Sequence, residues 1–82
     1  MGRHFVLYYV EHMFSYTIEI EREEDGRWIA EVPELPGVMV YGQTQDEAVA
    51  RVEALALRVL ADQIEHAGAG ELAMTVSFAG AA

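Results

Sequence analysis

The segment Val32-Pro33-Glu34-Leu35-Pro36-Gly37 contains both prolines of the 82-residue chain and separates two kinds of sequence pattern. Before it, apolar residues alternate with polar ones as in β-strands, and after Gly42 they recur at the spacing of an α-helix. Pro33 lacks a backbone donor and so ends a strand ladder, while Pro36-Gly37 favours a tight reversal with Gly37 in a left-handed conformation. The sequence therefore predicts strands, a stiff loop and then a helix.

Three strands are predicted before the helix. Residues 14–22 alternate between apolar and polar side chains, which indicates a half-buried strand. Asp25-Gly26 then predicts a hairpin turn, because glycine adopts positive φ without steric cost. The alternation resumes over residues 27–32, which we expect to return antiparallel to the first strand with Trp28 on the core side. Residues 38–41 follow as a short third strand, ended by Gly42.

A helix is predicted to begin at Thr44, because Glu47 lies three residues further on and the two side chains can form a capping box. The apolar stripe of this helix comprises Val49, Val52, Ala56, Val59 and Leu60, widened by Leu55, Leu57 and Ile64. We expect the helix to end near His66, since glycines follow. Residues 72–78 then predict a last strand, and residues 79–82 a frayed tail.

The composition indicates a small acidic protein. Fourteen acidic residues oppose five arginines, which gives a net charge of −9. Such a chain repels a phosphate backbone and attracts basic proteins, so we expect a protein partner and no direct nucleic-acid binding. The absence of cysteine excludes disulfides and thiolate chemistry and is consistent with a cytoplasmic protein. No apolar run is long enough to span a membrane.

Acidic residues are concentrated around the first hairpin: Glu19, Glu21, Glu23, Glu24, Asp25, Glu31 and Glu34. Paired carboxylates can hold magnesium for phosphoryl chemistry, but no catalytic base or phosphate-binding loop accompanies them. A solvated strand face and a docking surface for a basic protein are the other two interpretations. The three histidines, His4, His12 and His66, lack the spacing of a zinc site, so we expect no metal and no cofactor.

Several motifs together resemble the HicB antitoxin family. They are the segments 16–20 (Tyr-Thr-Ile-Glu-Ile) and 24–30 (Glu-Asp-Gly-Arg-Trp-Ile-Ala), followed by Val32–Gly37, Gly42-Gln43-Thr44 and Glu47-Ala48. The family motif positions, to which the resemblance implies a structural role, are Gly26, Pro33, Pro36, Gly37, Gly42, Thr44, Glu47 and Ala48. Many members have cysteine and aspartate where this chain has Val38 and Gln43, changes that we interpret as structural.

The resemblance implies a partial ribonuclease H fold of the α+β class, with two layers and the order β-β-β-α-β. We expect a three-stranded antiparallel sheet, one helix and a further strand. Residues 1–12 are an uncertain leader that can add a strand or an oligomer contact, residues 13–79 form the HicB-like domain, and residues 80–82 are a tail. We also expect a homo-oligomer, dimer or tetramer, because the apolar helix and leader exceed what one small sheet covers.

The resemblance also implies a non-enzymatic antitoxin that binds and neutralises a small basic HicA-like toxin, an enzyme that cleaves mRNA. The expected contact residues are Glu19, Glu21, Glu31, Glu34, Leu35 and Pro36. Full-length family members carry a C-terminal DNA-binding module, whereas this chain ends after its last predicted strand, so we expect no autorepression by it. The alternatives are a stand-alone oligomeric scaffold or regulatory binding module without a toxin partner, and a residual metal-dependent nuclease.

Overall fold

One sheet and one helix form two layers in the part of the chain that the structure describes. The computed structural model describes residues 11–67 and 73–80. Its elements are β1 (Glu11–Arg22), β2 (Trp28–Glu31), β3 (Met39–Gly42), α1 (Gln45–Ala67) and β4 (Ala73–Gly80). Three sets of predictions lie outside the described residues: those for residues 1–10, which are most of the leader, for residue 72 at the start of the last predicted strand, and for residues 81 and 82.

The strands form a single mixed sheet in the order β3-β2-β1-β4. β2 runs antiparallel to both β1 and β3, whereas β4 runs parallel to β1. The predicted α+β class and the order β-β-β-α-β are confirmed, but the sheet is four-stranded and mixed rather than three-stranded and antiparallel. The reason is the path of α1, which returns the chain across the sheet so that β4 enters beside β1 in the same direction.

β1 is the strand that links the two halves of the sheet. Its residues Glu11 to Ile18 pair with β4, and its residues Glu19 to Arg22 pair with β2. The strand begins before the predicted residue 14 because residues 11–13 pair with residues 73–75. β4 likewise continues to Gly80, which pairs with Ile18, so the predicted fraying of residues 79 and 80 was wrong.

The core lies between α1 and the sheet. Its buried side chains are Ile18, Ala30, Val32, Leu35, Val38, Ala48, Val52, Ala56 and Leu60. Trp28 is half-buried and packs against this core, as predicted. The assignment of Leu57 to the apolar stripe was wrong, because this side chain is 49% exposed. It follows the buried Ala56, and one residue rotates a helix by about 100°, which turns Leu57 towards solvent.

The start of α1 is fixed by the predicted cap and by a close approach to β3. Thr44 Oγ1 accepts a hydrogen bond from the Glu47 N–H at 3.1 Å, which confirms the cap. Glu47 Oε1 accepts a hydrogen bond from the Gln43 N–H at 3.2 Å. In a standard capping box this donor would be the N–H of the cap residue itself, one position later. Gly42 lies within β3 rather than beyond it, and a Cβ there would stand 2.6 Å from the Ala48 nitrogen. Its missing side chain therefore lets the strand and helix meet.

Candidate protein-binding surface

The face of the sheet opposite α1 carries two rows of side chains across β3, β2 and β1. Cross-strand pairing gives the rows Met39–Glu31–Glu19 and Tyr41–Ile29–Glu21. We call these six residues the outer face. Five of the six are exposed and Ile29 is half-buried. Alternation along each strand explains the placement, because the neighbouring residues Ile18, Ala30 and Val40 pack on the helix side.

The acidic side chains of the outer face lie beside each other without a counterion. Glu19 is directly opposite Glu31 in the ladder, and Glu21 follows on the same face of β1. Among the described residues, no basic side chain forms an ion pair with any of these three glutamates. Like charges directly opposite on a sheet are destabilising. The outer face therefore has uncompensated negative charge, around a hollow of about 270 Å³ lined by Glu19, Glu21 and Glu31 with two isoleucines.

Arg27, at the border of this face, is held by Asp25 and Tyr41. Arg27 Nε lies 2.7 Å from Asp25 Oδ2, and its guanidinium stands 4.3 Å from the centre of the Tyr41 ring. The backbone N–H of Arg27, followed by its side chain, holds the pKa of Asp25 below the ordinary value. Arg27 thus stacks on Tyr41 at the border of the outer face and leaves the glutamates unpaired.

Exposed apolar side chains accompany the acids. Met39 is 46% exposed and Tyr41 is 38% exposed, and both stand on β3 next to the half-buried Ile29 of β2. Met and Tyr are enriched where proteins contact one another. The outer face therefore combines negative charge with apolar contact area, which suits a partner that presents both basic and apolar groups.

The proline-containing loop is a compact structure anchored by three buried residues. Val32, Leu35 and Val38 are all in the core. They are joined by backbone hydrogen bonds: the Val32 N–H to the Val38 carbonyl at 3.0 Å, the Leu35 N–H to the Val32 carbonyl at 3.0 Å, and the Val38 N–H to the Leu35 carbonyl at 3.1 Å. Gly37 has φ +82°, the left-handed conformation that was predicted. The loop holds its exposed residues Pro33, Glu34 and Pro36 in place.

Glu34 is fastened to β1. Both of its carboxylate oxygens accept from the Thr17 N–H, at 3.0 and 3.2 Å. β2 ends at Glu31, so the carboxylate takes the place of a missing strand partner beside Thr17. Its own backbone N–H, and then that of Thr17, hold the pKa of Glu34 below the ordinary value. The Glu34 carboxylate therefore stabilises the fold, in addition to any contact that it makes with a partner.

The structure separates the predicted contact residues into three groups. Glu19, Glu21 and Glu31 share the outer face, whereas Glu34 and Pro36 are exposed on the loop beyond the end of β2. Leu35 does not join either group, because it is only 7% exposed and packs in the core. Met39 and Tyr41 were not among the predicted residues. Their alternation with Val40 could have placed both side chains on the outer face. In a strand of only four residues, however, this alternation is a weak pattern.

No group of three or more His, Cys, Asp or Glu side chains converges to hold a metal ion in the part of the chain that the structure describes. His66 Nδ1 instead lies 2.8 Å from the Asp62 carbonyl oxygen in the last turns of α1. The nuclease alternative thus gains no support from these residues. No helix among the described residues has the length and apolar character needed to cross a membrane.

Comparisons with known proteins give one partial similarity. No family model and no solved structure matches the chain. The chain is 38% identical over 39 residues to UPF0150 protein Ta0767 of Thermoplasma acidophilum, a stretch that covers 48% of this chain and 56% of that protein. The chain thus spans just over half the length of the curated relative that it matches. Over that stretch it is similar to a UPF0150 protein, a group that is HicB-like.

Proposed function

We propose that this protein is a HicB-like antitoxin-type protein that binds a small basic HicA-like toxin and blocks its cleavage of mRNA. In this proposal it acts by binding alone, with no catalysis of its own. The observation that carries the proposal is the unpaired set of glutamates on the outer face. The partial similarity to a UPF0150 protein supports the same class of function.

The arrangement of Glu19 and Glu31 explains why the partner is expected to be basic. The two residues are directly opposite each other in the β1–β2 ladder, a position in which like charges destabilise the free protein. An arginine or lysine placed between them removes this repulsion and forms charge-assisted hydrogen bonds. The net charge of −9 also steers a basic protein towards the surface and raises the rate of association.

Met39 and Tyr41 supply the apolar part of the proposed contact. They lie in the same cross-strand rows as the glutamates, so one partner covers both kinds of group at once. Burial of such side chains excludes water from the neighbouring ion pairs. The stiff loop contributes Pro33 and Pro36 at the adjoining end of β2, where little conformational entropy is lost on binding because the loop is already ordered.

Co-purification with the product of an adjacent gene encoding a small basic protein tests the proposal. The informative variant is Glu19→Gln with Glu31→Gln, compared with Glu53→Gln and Glu65→Gln on α1, which change the net charge equally. We expect the first pair to weaken binding about tenfold or more, which corresponds to about 1.4 kcal/mol, and to rescue cells poorly from the toxin. The helix pair should bind nearly as the wild type. Absence of any complex, or equal loss in both double variants, would contradict the proposal.

A further inference from the structure

An open groove lies between β3 and α1 on the helix side of the sheet. It is lined by Val40 of β3 and by Arg51, Ala54, Leu55 and Arg58 of α1. We call these five residues the arginine groove. The three apolar residues are half-buried and form its floor, whereas both arginines are exposed. Its volume of about 380 Å³ falls within the range of about 300–1,000 Å³ that is typical of small-molecule sites.

Arg58 leaves an uncompensated positive charge at one end of this groove. Among the described residues it forms no ion pair, no hydrogen bond and no contact with an aromatic ring. Asp62 follows it by one helical turn, but the Asp62 carboxylate lies 3.5 Å from Nδ1 of His66. Each of the other arginines in the described residues contacts an acidic or aromatic side chain, namely Arg22, Arg27 and Arg51. The planar fork of Arg58 therefore remains free to bind a carboxylate through two hydrogen bonds.

Arg51 closes the other end of the groove against an added strand. Its Nη1 donates a hydrogen bond to the Tyr41 carbonyl at 3.0 Å, and its Nη2 lies 3.3 Å from Glu47 Oε1. β3 is the last strand of the described sheet on this side and has only four residues. Edge strands recruit other strands through unpaired backbone groups. Because Arg51 occupies one of these groups, a contact made with side chains is favoured over strand addition.

We propose that the arginine groove binds a small amphipathic carboxylate. The carboxylate pairs with Arg58, and the apolar body of the ligand covers the floor. Arg51 and Arg58 are seven residues apart, so their Cα atoms are separated by about 10 Å along the helix axis. A ligand with a short acyl chain or an aromatic ring fits along this distance. Arg51 then borders the far end of the ligand.

The charge of the whole protein selects a small ligand for this groove. The net charge of −9 repels an acidic protein or a nucleic acid, because the repulsion grows with the charge of both bodies. A ligand with one carboxylate carries a single charge, and salt screens its repulsion beyond about 10 Å. Its hydrogen bonds with Arg58 are charge-assisted and act at short distance. The groove is thus complementary to a small molecule that is partly anionic and partly apolar.

Isothermal titration calorimetry with octanoate tests this binding. Octan-1-ol keeps the apolar chain without the charge, and acetate keeps the charge without the long chain. We expect each of them to bind at least about tenfold more weakly than octanoate, because each loses one of the two kinds of contact. Binding of octanoate should also weaken as salt is added. No binding of octanoate at millimolar concentration, or equal binding of octan-1-ol, would overturn the proposal.

Four variants show whether octanoate occupies the arginine groove. Arg58→Gln removes the unpaired cation and should weaken binding about tenfold, whereas Arg22→Gln removes the same charge from β1 and should not. Ala54→Leu fills the floor and keeps both arginines, so it should also weaken binding. Ala61→Leu adds the same group at an exposed position of α1 and should bind as the wild type. Circular dichroism shows whether each variant is folded.

Two results with folded variants would contradict the assigned site. One is equal loss in both arginine variants, and the other is undiminished binding by Ala54→Leu. The groove lies on the helix side of the sheet, whereas the glutamates of the outer face lie on the opposite side. Glu19→Gln with Glu31→Gln should therefore bind octanoate as the wild type does. The measurement needs no toxin, so its result is independent of the proposed function.

Discussion

Replacing Gly42 by alanine tests how closely β3 approaches the start of α1. The added Cβ would lie 2.6 Å from the nitrogen, 2.9 Å from the Cα and 3.0 Å from the Cβ of Ala48. Two of these three atoms belong to the backbone, and Ala48 is fully buried, so no flexible side chain can move aside. The first turn of the helix or the end of β3 has to shift instead.

The size of the effect follows from the geometry. Ordinary contacts begin near 3.4 Å, so the closest pair is about 0.8 Å too short. Inserting a methyl group into a well-packed core typically costs about 1–3 kcal/mol. Because the clash here is with backbone, we expect the upper part of this range, about 2–3 kcal/mol. For a domain of this size, that lowers Tm by about 10–20 °C.

Thermal and urea unfolding followed by circular dichroism measure the change at one fixed protein concentration. Gly80→Ala is the matched control, because its Cβ would meet no atom within 4 Å. In a strand, alanine is about 0.5–1 kcal/mol more favourable than glycine, so the control should be unchanged or slightly more stable. If Gly42→Ala unfolds within about 0.5 kcal/mol of the wild type, the argument for a close strand–helix contact is refuted.

Three further changes test the cap, the helix face and the loop. Thr44→Ala should lower the free energy of unfolding, measured in urea, by about 1 kcal/mol. Thr44→Ser should keep most of this stabilisation, because serine also caps helices. Leu60→Ala should cost about 2–5 kcal/mol because this side chain is buried, whereas Leu57→Ala should stay within about 0.5 kcal/mol because it faces solvent; equal losses would contradict the assigned helix face. The pKa of Glu34 is lowered in the folded state, so its ionised form stabilises the fold above the ordinary value of 4.5, and this contribution is lost as the pH falls through the lower folded pKa. Glu34→Gln should therefore be less stable than the wild type at pH 7, and the difference in Tm should shrink as the pH falls below the ordinary value of 4.5; a constant difference would argue against the bond to Thr17.

The elements that sequence predicts well are those fixed by neighbouring residues. The hairpin at Gly26 and the turn at Gly37 need positive φ, which glycine provides, and the structure has φ +90° and +82° there. The cap at Thr44 depends on residues within one helical turn. The position of β4 depends on pairing between residues such as Ser15 and Ser77, which are 62 positions apart. Nothing local in the sequence specifies such a partner, so the mixed sheet was not foreseen.

The residues of the candidate surface were also predicted correctly only where a local pattern determines their placement. Alternation with period two correctly places Glu19 and Glu21 on one face, and hairpin register adds Glu31. Burial within the loop follows a different rule, because Val32, Leu35 and Val38 are spaced three apart and turn inward together. A strand-based interpretation cannot foresee that pattern. Leu35 was consequently assigned to a partner contact although its side chain serves the core.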